Sequence, residues 1–118
     1  MMNNYKITFW KMIKVALQRR RHYFIVVPFV TYVEAIKKVD IDKILTENPA
    51  GFYNIVLDYF RGDKEAAYFF VDYIISCLVP GEMELKEQLI TYMKTGNNEK
   101  AKRIMAAILE KARKRLGL

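Results

Sequence analysis

Arg19-Arg20-Arg21-His22-Tyr23 brings three guanidiniums, an imidazole and a phenol into five consecutive positions. A guanidinium presents a fork of N–H donors that matches a phosphate or carboxylate two bonds at a time. Tyr23, or Phe24 after it, adds a flat face on which an exposed base could stack. The run therefore suits the holding of anions. It does not suit bond making, because His22 is the single histidine and has no Ser, Cys or acid close in sequence to activate it.

A second basic set lies at the other end of the chain: Lys102, Arg103, Lys111, Arg113, Lys114 and Arg115. With Lys11 and Lys14 upstream of the arginines, the charge is strongly segregated. Lys6 to His22 carries +6 with no acid, Glu99 to Arg115 carries +5, and the stretch between them is −4 within a whole-chain charge of +7. Clustered cations raise the local concentration of anions and so mark a polyanion or an acidic surface as the partner. Cations at a helix C-terminus also complement the macrodipole, but three successive arginines exceed that need.

Other chemistry is poorly supported. One His and one Cys make no metal site, and no glycine-rich phosphate loop occurs. Glu65 and Asp72 fall one heptad apart and read as a solvent edge, or as partners for cations of a terminal helix. Asp42 to Phe60 has the outline of a helix-turn-helix, but its second helix offers Phe52, Tyr53, Asn54 and Asp58 and no base before Arg61. The expectation is a protein without catalytic activity, cofactor or metal.

The elements that must carry these residues follow from apolar spacings of three and four along the whole chain. They predict a single all-α domain over residues 1–118, a compact bundle of five to six helices. The first runs from about Tyr5 to Arg20 with Phe9, Trp10, Met12, Ile13, Ala16 and Leu17 inward and Lys11, Lys14, Gln18 and Arg21 opposite. Tyr23 to Val27 reads as a short extended piece or a continuation of that helix. Phe29 to Val39 forms the second, with Phe29, Tyr32, Val33 and Ile36 on its inner face. Asp40 caps a short turn through Leu45. Asn48-Pro49 starts a helix that ends at Arg61-Gly62, as cap and first helical residue. Lys64 to Val79 is apolar nearly all round except for Glu65, Tyr68, Asp72 and Ser76, which makes it the expected central helix, with two helical hairpins around it. A helix over Glu82 to Thr95 stops at Gly96, and Asn97 or Asn98 caps the last one, whose inner face is Ala101, Ile104, Met105, Ile108, Leu109, Ala112 and Leu116.

Gly62-Asp-Lys-Glu-Ala-Ala67 and Gly96-Asn-Asn-Glu-Lys-Ala101 lie 34 residues apart, each joining two helices. With Tyr92, Gly96 and Ala101, this spacing resembles a tetratricopeptide repeat over about Phe52 to Arg113. Leu85 and Leu89 stand where that family carries an aromatic and a small residue. The resemblance implies stacked helical hairpins.

At 53% apolar residues the chain has material for a packed core, and Cys77 sits in an apolar run as a buried thiol. The longest apolar run, Tyr23 to Val33, is broken by Pro28, falls short of a membrane span, and makes a poor secretory signal, so a cytoplasmic protein is expected. Abundant Lys, Glu, Ile and Tyr with one Ser and two Gln lean towards a thermophilic source. The leading functional expectation is a small nucleic-acid-binding accessory protein. Lys11, Lys14, Arg19, Arg20, Arg21, His22 and Tyr23 would contact DNA or RNA with Lys102, Arg103, Lys111, Arg113, Lys114 and Arg115, with little sequence preference. The rival is a protein-interaction module, a helical adaptor or homodimer, whose basic ends dock on acidic surfaces while Phe9, Trp10 or Met12 form the apolar contact. A membrane partner is not expected.

Overall fold

A computed structural model describes residues 7 to 118, and within them the chain is all-helical with no strand. Helix α1 (Phe9–Arg19) begins where Thr8, in extended conformation, accepts the Lys11 N–H on its hydroxyl at 3.2 Å. The helix therefore starts later than the expected Tyr5, which itself lies outside the described residues: Ile7 and Thr8 are not helical, because the Thr8 cap fixes the first turn at Phe9. A 3-10 turn (Tyr23–Ile25) leads into α2 (Val27–Thr31), with Pro28 in the first turn, where a missing N–H costs nothing. The segment from Tyr23 to Val27 is thus neither extended nor a continuation of α1.

The helix expected over Phe29 to Val39 is shorter and changes pitch. After Thr31 the backbone opens into a π turn, Tyr32–Ile36, in which the Lys37 N–H donates to the Tyr32 carbonyl at 3.1 Å. The extra residue per turn rotates the following positions away from the core. Ile36, placed by its spacing on the inner face, is consequently 66% exposed while Val33 is buried.

Short-range hydrogen bonds set the next boundaries. The Asp40 carboxylate accepts the N–H groups of Asp42 and Lys43 to start α3 (Ile41–Glu47). Asn48 then caps α4 (Pro49–Tyr59) through the Gly51 N–H, at 3.0 Å. A side chain on Gly51 would put its Cβ 2.8 Å from Asn48 Cγ, so the cap needs that glycine. Asn97 caps α7 (Asn98–Leu116), which frees Asn98 for a longer-range role. Its amide donates to the Asn48 side chain at 2.8 Å and accepts the Ala50 N–H at 2.9 Å, fastening the start of α7 to the start of α4.

The helix at the centre is α4 rather than the segment 64–79. It packs on α3, α5, α6 and α7, and only Asn54 and Asp58 are exposed along it. Helix α5 (Lys64–Ser76) lies against α1, α4 and α6, and its Phe69 remains 61% exposed. Residues 77–79 continue the core beyond the helix end, and Cys77 is buried as expected. The strip that α4 leaves at the surface, Asn54 and Asp58, carries no base to meet a DNA groove.

Glu65 is exposed, as expected of a solvent edge, but from Tyr68 to Ser76 the polar stripe of α5 is a seam against α6 (Met83–Lys94). The Lys86 ammonium meets the Asp72 carboxylate at 2.9 Å and the Ser76 hydroxyl at 3.0 Å, and the Tyr68 hydroxyl donates to Glu87. Asp72 is therefore partnered from α6 rather than from a terminal helix. The bond to Glu87 pushes the Tyr68 phenol up to about 12, since losing its proton would set an anion beside a carboxylate. Its contribution to stability is complete below the ordinary tyrosine range near 10 and is lost as pH rises through about 12. Ultraviolet titration should show a tyrosine step near 12 that is missing in Tyr68→Phe; a single step near 10 in both proteins would contradict the pairing.

The core gathers on Phe29, whose ring meets Phe52 at 5.7 Å, Tyr59 at 5.3 Å and Phe70 at 4.9 Å between centroids. Phe9, Trp10 and Met12 are buried with it, so they cannot form the outward contact expected of an interaction module. Seven α-helices, rather than five or six, one 3-10 turn and one π turn make up the described residues. No helix among the described residues is long and apolar enough to cross a membrane.

Candidate functional site

Helices α1 and α7 pack side by side and run the same way. Ile7 and Phe9, at the start of α1, share an apolar groove of about 350 Å³ with Met105 and Leu109 in the middle of α7, and at the ends of both helices Arg19 Nη1 donates to the Leu116 carbonyl at 2.6 Å. The end of α5 joins them. Arg115 donates through Nε to the Leu78 carbonyl at 3.1 Å and through Nη2 to the Cys77 carbonyl at 2.6 Å. One pole of the molecule thus collects the C-terminal ends of α1, α5 and α7. Their last carbonyls have no intrahelical donor and carry partial negative charge, which explains why cations gather there.

Arg19 and Arg115 are therefore structural as well as basic. Arg115→Ala leaves two partly buried carbonyls without donors and should lower the unfolding free energy by about 1–3 kcal/mol in denaturant titration. Arg115→Lys should recover only part, because an ammonium cannot fork to both oxygens. An alanine variant as stable as the native protein would contradict this role.

The remaining cations differ in how free they are. Lys111 lies 3.4 Å from Glu82, and Arg113 lies 3.7 Å from Glu110. Exposed pairs of this kind hold weakly and release their cations readily. Arg20, Arg21 and Lys114 are exposed with no carboxylate at salt-bridge distance among the described residues. Lys11 is also exposed and unpaired among them, one turn before Lys14. The Lys14 ammonium sits over the Tyr23 ring, 5.8 Å from its centroid. Tyr23 is half-buried, its phenol raised by burial and then by Glu34, so its ring is not an open stacking face.

His22 Nδ1 lies 2.9 Å from the Tyr73 hydroxyl, a partner without the charge that would make an acid–base pair. Burial, and then Cys77, raises the Tyr73 phenol, while Arg20 acts the other way; burial also raises the Cys77 thiol. Lys102 and Arg103 stand apart from the pole. They lie thirteen and twelve residues before Arg115 in α7, about 20 Å of helix at 1.5 Å per residue. Lys102 borders the apolar groove beside Phe9 instead. Lys111, Lys114 and Arg115 border a second hollow, of about 490 Å³, with the turn from Leu78 to Glu82.

Two exposed aromatics complete the surface. Phe24 is 69% exposed, two residues after His22, and Phe69 lies one helical turn from Tyr73 on the same side of α5. Phe69 falls outside the polar stripe of Glu65, Tyr68, Asp72 and Ser76, and period alone does not reveal which side of a nearly all-apolar helix stays uncovered. No group of three metal-ligating side chains occurs among the described residues. Comparison with protein-family models, curated proteins and solved structures finds no match. The likeness to tetratricopeptide repeats is accordingly limited to consecutive helical hairpins, α4 with α5 and α6 with α7.

Proposed function

We propose that this protein binds nucleic acid through its phosphates, at the pole where α1 and α7 end, with little sequence preference. The observation that carries this reading is a surplus of cations there. Arg19 and Arg115 serve the helix-end carbonyls, yet Arg20, Arg21 and Lys114 remain exposed beside them without acidic partners among the described residues. Like charges held together without such a return are explained by an external polyanion. Arg20 and Arg21 follow the end of α1 and Lys114 lies in the last turn of α7, and such a placement at helix C-terminal ends favours contact with the backbone of the nucleic acid over insertion of a helix to read sequence.

Arg21 separates this reading from simple helix termination. It occupies the left-handed position that closes α1, with φ +60°, where the His22 N–H reaches the Leu17 carbonyl at 2.8 Å. Helices α6 and α7 place glycine at the corresponding position, Gly96 and Gly117, while α4 places Arg61 there, with φ +57°. An L side chain there costs up to about 1 kcal/mol that glycine avoids. Arg21→Gly should therefore unfold at the same or slightly higher denaturant concentration while binding labelled DNA or RNA several-fold more weakly. Lower stability with unchanged affinity would reject the proposal for this residue.

A further inference from the structure

Resting on that reading, we infer that the nucleic acid is single-stranded, held with its phosphates on Arg20, Arg21 and Lys114 and with bases stacked on Phe24 and Phe69. The two rings are the largest apolar groups left open beside the basic pole. Phe24 is 69% exposed three residues after Arg21, followed by the exposed Ile25 and Val27, and Phe69 is 61% exposed. The His22–Tyr73 contact joins the two segments that carry them, since His22 is two residues from Phe24 and Tyr73 one turn from Phe69.

Exposed rings at the rim of a cationic surface have a use when the partner carries both negative charge and flat apolar faces. A duplex offers only the first, because its bases are stacked inside and an external phenyl ring finds nothing to cover. An unpaired strand offers both. Its phosphates meet the arginines while its bases turn onto the rings, and every base has a face, so no sequence preference is needed.

The helix ends at the pole sharpen this choice. They present carbonyls, which repel phosphate, so attraction comes only from flexible side chains that reach past them. Such cations follow an irregular, pliable strand more readily than the fixed phosphate spacing of a duplex.

The test uses the full chain and a labelled oligothymidylate of about 12 nucleotides, alone and paired with its complement, by fluorescence anisotropy at one salt concentration. The single strand should bind at least about tenfold more tightly than the duplex, and Phe24→Ala should weaken it by about five- to a hundredfold while leaving duplex affinity and salt dependence unchanged. Phe69→Ala should act in the same direction. As Phe24 is exposed, its loss leaves folding intact. Equal binding of both forms with no effect of Phe24→Ala overturns the single-strand inference and leaves phosphate binding standing. Binding of neither form overturns both. Capture by phosphatidylserine vesicles, dependent on Phe24 and without oligonucleotide binding, also overturns both and assigns the pole to an anionic membrane surface.

Discussion

Replacing Arg20, Arg21 and Lys114 together by alanine is expected to lower nucleic-acid affinity on the order of a hundredfold at about 0.1 M salt. The reason is release of counterions: each lost phosphate contact removes about 0.9 from the slope of log affinity on log salt for a duplex, and about 0.7 for a single strand. Three exposed side chains without acidic partners among the described residues can be removed with little effect on stability, about 0.5 kcal/mol or less each. The informative comparison is a variant with the same change in net charge made elsewhere. Lys43 on α3, Lys64 at the start of α5 and Lys94 at the end of α6 are likewise exposed. Their replacement by alanine should cost far less affinity than replacement of the pole cations. Equal losses would mean that net charge, rather than the meeting of helix ends, governs binding.

Phe29→Ala should have the largest effect on the fold. Its ring is 1% exposed and touches Phe52, Tyr59 and Phe70, which come from α4 and α5, so its removal opens a cavity between α2 and both helices. Loss of a fully buried phenyl ring costs about 3–5 kcal/mol, which approaches the whole stability of a small domain. Denaturant unfolding should show that loss in the midpoint, while Phe29→Leu should lose much less because it fills most of the space. A change below about 1 kcal/mol for the alanine variant would contradict the packing.

Helix starts were the most legible part of the sequence. Asp40, Asn48 with Pro49, Asp63 and Asn97 each act on a backbone N–H two or three residues away, so the signal and its effect lie together in the chain. The inner face of α7 was readable for a related reason, because Ala101, Met105, Ile108 and Ala112 repeat on one side of a long helix. The pitch change at Tyr32–Ile36 was hidden, since a π turn alters the very period that the spacing assumes.

Partners distant in sequence were hidden as well. The basic runs were visible as charge, but Arg19 caps a carbonyl 97 residues away and Arg115 reaches back 37 and 38 residues, distances that no local pattern encodes. The polar stripe of α5 misled for the same reason: Tyr68, Asp72 and Ser76 look like a wetted edge until α6 supplies Glu87 and Lys86. Of the candidate set, the structure gathers Arg19, Arg20, Arg21, His22 and the last turns of α7, occupies Tyr23 with Lys14, and leaves Lys102 and Arg103 apart.

The most direct test of the proposed binding is the affinity of the native protein for nucleic acid across a salt series. Log affinity should fall linearly with log salt, with a slope of about −3 to −5 for contacts between the pole cations and phosphates. Undetectable binding at low salt, or a slope near zero, would contradict it.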